Sequence, residues 1–86
     1  MEKHKNLMLE IIKPTSSKTF PVEWIDVEGL GGNFLIGPDH YPLISVLKPE
    51  TKVIYKLPAG EEESLNIFTG GIVKVKNNYA IIILDD

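Results

Sequence analysis

Cysteine is absent from this 86-residue chain, so neither a disulfide framework nor a thiolate metal site is open to it, and the sequence is compatible with a reducing compartment. No apolar run approaches the ~20 residues of a membrane span. The apolar piece nearest the N-terminus, Leu7-Met8-Leu9, is cut off by Glu10 and is too short for the apolar region of a signal peptide. Positive charge is scarce as well: nine Lys and Arg stand against twelve Asp and Glu, the net charge is −3, and the basic residues are dispersed. That balance argues against nucleic-acid binding, because affinity for a phosphate backbone rests on neutralisation by clustered cations. A sustained 3.6-residue apolar period is also missing, so no amphipathic helix is expected.

What is present is period-two alternation broken by turn residues. Leu7, Leu9 and Ile11 alternate with Met8, Glu10 and Ile12 up to a turn over residues 13–17. Phe20 and Val22 form a second apolar set, Ile25 and Val27 a third, and the phase slips by one near Trp24, the mark of a bulge or a sheet-switching bend. Pro21 assigns the earlier piece to a sheet edge. A turn at Gly29-Leu30-Gly31-Gly32 leads into residues 33–36, and residues 43–48, bounded by Pro42 and Pro49, read as a short strand or one helical turn. Val53, Tyr55 and Leu57 mark a half-buried strand, followed by a polar hairpin tip over residues 58–63 whose three glutamates resist edge pairing. Leu65, Ile67 and Thr69 continue to Gly70-Gly71, which permits positive φ or a close backbone approach. After a strand at 72–75, Asn77-Asn78 makes a two-residue turn because Asn tolerates left-handed geometry. The last strand, 79–84, carries Ile81-Ile82-Ile83-Leu84, which fits a strand covered on both faces or one that ends against a partner. Short strands with turns between them predict an all-β fold, an antiparallel sandwich or flattened barrel, in one domain spanning residues 1–86. A chain this short buries roughly 60–65% of its unfolded surface, so function is expected at the surface rather than in a deep cleft.

Candidate chemistry is thin. The glycines at 29, 31 and 32 lack the Gly-Lys-Ser/Thr ending and following helix of a phosphate cradle. Asp39, His40 and Ser45 can be drawn as a hydrolase constellation, but no oxyanion hole or nucleophile turn accompanies them, and a loop histidine used for contact is the simpler reading. His4 falls in a terminal segment prone to fraying. Asp85 and Asp86 offer too few oxygens for a hard cation, and Trp24 reads as packing.

The stretch over residues 29–49 holds four of the seven glycines, three of the six prolines and one of the two histidines, so backbone geometry is dictated there more tightly than elsewhere. Gly32-Asn33-Phe34-Leu35-Ile36-Gly37-Pro38-Asp39-His40-Tyr41-Pro42-Leu43, followed by Leu47-Lys48-Pro49, resembles a segment of the F-type ATP synthase epsilon subunit. That segment usually reads Gly, acidic, Phe, Gly, Val, Leu, Pro, Gly, His, Ala, Pro, Leu and closes with Leu-Lys-Pro-Gly. Thr69-Gly70-Gly71-Ile72-Val73-Lys74-Val75 is similar to a second family element, and Leu9-Glu10-Ile11-Ile12-Lys13-Pro14 to its opening strand. The chain departs from the pattern at Asn33, Leu35, Gly37, Asp39, Tyr41 and Glu50, and Phe20-Pro21-Val22 replaces a Phe-x-Gly element.

The resemblance implies a flattened β-sandwich of about ten strands that packs on the gamma subunit at the foot of the central stalk, touches the polar loops of the c-ring and rotates with them. It implies a non-catalytic subunit without cofactor or metal, held peripherally at the cytoplasmic face of the inner (plasma) membrane in proton- or sodium-driven ATP synthesis. By position, Asn33, His40 and Tyr41 would face the c-ring, Lys13, His40 and Ser45 would face gamma, and Gly32, Pro38 and Pro42 would shape the loop. The family's C-terminal pair of helices has no counterpart before Asp86, which leads to the expectation that this chain couples rotation without self-inhibition or ATP binding through that hairpin. The alternative function is a stand-alone protein-binding module on the same sandwich.

Overall fold

The computed structural model describes residues 6–85, so His4 and Asp86 lie outside the described residues. Nine strands run in the order β1 (Leu7–Lys13), β2 (Ser16–Val22), β3 (Trp24–Gly29), β4 (Gly32–Ile36), β5 (Leu43–Leu47), β6 (Thr51–Lys56), β7 (Glu62–Ile67), β8 (Gly71–Lys76) and β9 (Tyr79–Leu84), and no helix occurs among the described residues. They form one curled sheet ordered β2-β1-β9-β8-β5-β3-β6-β7, with β4 paired to the remaining side of β3. The overall extents are 44 × 26 × 20 Å, a flattened body. All-β architecture is therefore as expected, with nine described strands where the resemblance implied about ten.

Alternation builds the core. Every strand sends its odd or even set inward, so Leu7, Leu9 and Ile11 of β1 meet Val73 and Val75 of β8, Ile82 and Leu84 of β9, and Ile25 and Val27 of β3 in a single cluster. No polar or charged residue is buried among the described residues. Such a core has strict register, because a one-residue slip would turn a strand's whole apolar set to solvent.

The phase slip near Trp24 is a crossing between separate parts of the curled sheet. Exposed Glu23 separates β2, which pairs only with β1, from β3, which pairs with β4, β5 and β6. Val22 and Ile25 are both buried on either side of it, and the Glu23 N–H donates to the Lys56 carbonyl at 2.7 Å. Pro21 lies in an edge strand, as its missing donor requires. The Asn77-Asn78 turn has φ of 54° and 60° at its two residues, the signature of the type I′ turn that matches strand twist.

Several expectations need correction. The sheet is not wholly antiparallel: β1 and β9 pair in parallel, Met8 against Tyr79 through Ile12 against Ile83. That pairing is possible because the intervening chain is long enough to act as the crossover that parallel neighbours need. The 43–48 segment resolves as strand β5 over Leu43–Leu47, each residue in register with β8, while the Val46 carbonyl accepts Leu30 N–H and Lys48 N–H donates to the Glu28 carbonyl on the other side. Glu62 and Glu63 are not in the hairpin tip but in β7, opposite Lys56 and Tyr55. The tip itself closes through Gly60 N–H on the Leu57 carbonyl at 2.9 Å and Leu57 N–H on the Glu61 carbonyl at 2.8 Å, which places Leu57 just outside β6. Burial raises the Tyr55 hydroxyl above its ordinary pKa, and the Glu63 carboxylate adds to this by repelling the phenolate and accepting its proton's hydrogen bond. Finally, β9 is not covered on both faces, because Ile83 is 44% exposed.

Gly71 is required by contact rather than by dihedral freedom. A Cβ there would stand 2.5 Å from the Ile83 carbonyl oxygen and 2.7 Å from Leu84 Cδ2, and a strand backbone in mid-sheet cannot step aside. Gly71→Ala is expected to destabilise the fold by about 2 kcal/mol, lowering the thermal midpoint by roughly 10 °C. Gly31→Ala, which enters open space, is expected to stay within ~0.5 kcal/mol; calorimetry on the two variants separates them.

Candidate functional site

The stretch singled out by its glycines and prolines forms an open groove of about 390 Å³, lined by Gly31, Gly32, Asn33, Phe34, His40, Tyr41, Leu43 and Ser45. One wall is the β3–β4 hairpin, which turns at Leu30 and Gly31 and enters β4 with Gly32 at φ 133°, a region an L side chain rarely adopts. The other wall is the 37–42 loop and the start of β5. Pro38 and Asp39 occupy the centre of a turn closed by His40 N–H on the Gly37 carbonyl at 3.3 Å, with Asp39 at φ 63°. Proline first and positive φ second is the type II pattern. Pro42 ends the loop and leads directly into β5.

His40 and Tyr41 form the rim. Their rings lie 4.4 Å apart at 36°, and His40 Nδ1 is 2.8 Å from the Tyr41 carbonyl oxygen. A carbonyl only accepts, so Nδ1 carries the proton and Nε2 of the neutral ring is left as an acceptor. The hydrolase arrangement is not assembled: a triad needs a carboxylate on Nδ1, whereas here Nδ1 meets a backbone carbonyl and Asp39 Oδ1 accepts from Asn78 Nδ2 at 3.1 Å. Tyr41 is 70% exposed.

Asn33 points back onto its own hairpin. Its Nδ2 donates to Asp26 Oδ1 at 2.7 Å, to the Val27 carbonyl at 3.0 Å and to Glu28 Oε1 at 3.3 Å. The structure thus gathers Asn33, His40, Tyr41 and Ser45 on one groove, with Gly32 and Pro38 shaping it. Lys13 is not among them. It ends β1 next to the β1–β2 turn, whereas the loop is tied through Asn78 to the Met8 end of that strand; at ~3.3 Å per residue the two ends are about 20 Å apart.

Two features escaped the sequence. The first is an apolar row on the outer face, where register sets Val46 against Ile72, Ile72 against Ile83 and Ile83 against Ile12 across β5, β8, β9 and β1. Val46, Ile72 and Ile83 are 50%, 45% and 44% exposed, and Ile44 in the next row is 70% exposed. Alternation within 43–47 was the available signal, but the strand is apolar outward at Ile44 and Val46 and inward at Leu43 and Leu47, with polar Ser45 on the inward side. On the same face Tyr79 donates to Glu10 Oε1 at 2.7 Å, and this hydrogen bond raises the tyrosine above its ordinary pKa. The second feature is Asn78, whose side chain reaches a loop 39 residues away, a contact no local pattern reports.

The profile of the family described as ATP synthase, Delta/Epsilon chain, beta-sandwich domain matches residues 6–86. The chain belongs to this family. It is 34% identical over 82 residues to the ATP synthase epsilon chains of Clostridium botulinum strains Hall and Okra, covering 93% of this chain and 59% of theirs, so it spans under two thirds of the curated relatives it matches. Among solved structures, the Euglena gracilis mitochondrial ATP synthase, OSCP/F1/c-ring in rotational state 1, contains a chain that matches with TM-score 0.86 at 18% identity, covering 94% of this chain and 51% of that one. A chain of the Tetrahymena thermophila mitochondrial ATP synthase central stalk/c-ring matches with TM-score 0.73 at 16% identity, covering 99% of this chain and 67% of that one. At those identities the structural likeness shows a shared fold.

Within the delta/epsilon family pattern, the departures at Asp39 and Glu50 acquire a physical meaning. Both replace a glycine of the pattern, and both stand at positive φ, 63° and 62°. The Glu50 turn is held by its N–H on the Ile67 carbonyl at 2.7 Å and by the Thr51 hydroxyl on the Lys48 carbonyl at 2.7 Å. Asn33, where the pattern is acidic, is explained by its neighbours: a carboxylate there would face Asp26 and Glu28 with no proton to offer. Asn33→Asp is therefore expected to destabilise the exposed hairpin by about 1 kcal/mol at neutral pH. Repulsion raises the introduced carboxyl above its unfolded pKa of about 3.9, so the penalty fades as pH falls through that raised value; urea midpoints compared at neutral and acidic pH check the sign.

Proposed function

We propose that this chain is a non-catalytic epsilon-type subunit of an F-type ATP synthase central stalk, bound to the gamma subunit and the polar loops of the c-ring, and coupling rotation between them. The observation that carries the reading is the exposed apolar row Val46, Ile72 and Ile83, in a chain of this family, on the sheet next to the loop groove. A contiguous apolar patch on a small surface marks a protein interface, and it spans central strands that cannot yield without breaking the core.

In this reading the outer face of β5, β8 and β9 lies along gamma. His40 meets gamma near one end of β1 and Lys13 near the other, so a single stalk helix touching both ends would need about 13 residues at ~1.5 Å each, whereas Ser45 alternates with Ile44 and Val46 and faces the groove on the opposite side of β5. Asn33, His40 and Tyr41 face the ring: Tyr41 by direct contact, Asn33 by holding the hairpin that carries the groove wall. The chain does no bond chemistry of its own. Its role is mechanical and is served by turns with fixed φ and a core without buried polar residues among those described. It sits peripherally, on the cytoplasmic side, through its partners.

The test is recovery of an affinity-tagged chain from detergent-solubilised membranes of the source cell. Gamma and the c-ring are expected to co-purify with the unaltered chain, and Ile72→Glu, placed at an exposed position, is expected to weaken gamma binding tenfold or more while the chain stays folded. Stable recovery of a different partner without gamma would replace this reading with that of a stand-alone binding module.

A further inference from the structure

Asn78 occupies the second position of the β8–β9 turn, and the turn does not need its side chain. Asn77 and Asn78 supply the two left-handed residues by backbone alone, which leaves the Asn78 amide able to reach across to the 37–42 loop. There it makes a reciprocal pair. Its Oδ1 accepts the Asp39 backbone N–H at 2.6 Å, and its Nδ2 donates to Asp39 Oδ1 at 3.1 Å. The orientation of the amide follows from its partners, because a flipped group would set an N–H against an N–H and an oxygen against a carboxylate. The Asn78 carbonyl accepts Met8 N–H at 3.0 Å, so one residue joins β1, the β8–β9 turn and the loop.

Asp39 is where the loop's direction is decided. It is the positive-φ residue of the 37–40 turn, and the peptide that leaves it carries the His40 N–H that closes the turn on Gly37. His40 in turn is bonded through Nδ1 to the Tyr41 carbonyl. Fixing Asp39 therefore fixes where the His40 and Tyr41 rings stand. A glycine, as in the family pattern, would adopt the same φ without strain but offers no carboxylate for the second bond of the pair.

We infer that Asn78 is a positioning residue: through its reciprocal pair with Asp39 it holds the His40–Tyr41 rim in the pose that meets the gamma and c-ring partners. This rests on the stalk reading above. It adds a residue far from the loop in sequence, and a device specific to a chain with Asp at 39.

Three variants of the full chain test it. Asn78→Gly keeps the turn, since Asn-Gly is a favoured type I′ pair, but removes both bonds. Asn78→Asp sets two carboxylates against each other. Asp39→Asn combined with Asn78→Asp keeps the residue-39 backbone N–H donating to a residue-78 side-chain oxygen and restores the side-chain bond with donor and acceptor interchanged, and both residue types tolerate left-handed φ. The readouts are amide hydrogen exchange at Asp39 and His40, affinity for purified gamma subunit of the same organism's synthase, and the urea midpoint. In Asn78→Gly, exchange at Asp39 is expected to rise about tenfold and gamma affinity to fall about three- to tenfold, with the urea midpoint close to that of the unaltered chain. The exchanged pair is expected to recover both where Asn78→Asp alone does not. Unchanged exchange, or faster exchange with undiminished affinity, overturns the inference while the stalk reading stands. Failure of the unaltered chain to bind gamma overturns the stalk reading and this docking role with it.

Discussion

The dry core is the constraint from which the remaining structure follows. Its sixteen buried apolar residues come from all nine strands, with no buried polar or charged residue among those described. Burying a Leu, Ile or Val is worth roughly 1.5–3 kcal/mol, so each strand is held in register by the same term that holds its neighbours. Consequences appear at the joints. The chain must cross to another part of the sheet at Glu23 to keep both Val22 and Ile25 inside, and β8 must come so close to β9 that only glycine fits at position 71.

Against that body, the surface is shaped by turns whose dihedrals are set by residue type. Three of them use non-glycine residues at positive φ: Asp39, Glu50 and the Asn77-Asn78 pair. Left-handed backbone costs a residue such as Glu about 1–2 kcal/mol and is tolerated better by Asn and Asp, and each here is held by a specific bond: Asp39 by Asn78, Glu50 by Ile67, and the asparagine turn by the Met8 N–H on the Asn78 carbonyl. The result is a groove and rim whose positions are coupled to β1 and to the β8–β9 turn. In the stalk role proposed above, such coupling matters because a compliant contact would absorb displacement instead of passing it on.

The sequence was legible wherever physics is local. Alternation located the strands, Pro21 the edge, the slipped phase at Trp24 the bend, and Asn77-Asn78 the left-handed turn. Gly70-Gly71 was read as either positive φ or close approach, and the two residues divide those roles between them. What escaped was long-range. The parallel pairing of β1 with β9 has no local signature, and neither does the Asn78–Asp39 pair. The outer apolar row was masked because 43–47 carries apolar residues on both sides and its one polar residue, Ser45, on the inward one, so period two did not mark Ile44 and Val46 as the exposed set. Lys13 shares β1 with Leu7 but not the groove, a separation set by strand length that a list of site residues does not display.

In the proposed stalk role, the face formed by Val46, Ile72 and Ile83 is buried against gamma and the His40–Tyr41 rim against the c-ring. The most direct measurement is a cryo-EM reconstruction of the ATP synthase purified intact from the source cell's own membranes. The account predicts density for this chain at the foot of the stalk, with the apolar row against gamma and the rim against the ring's polar loops. An enzyme whose stalk foot is occupied by another chain, or one in which this chain is bound with the row and rim both facing solvent, would contradict it.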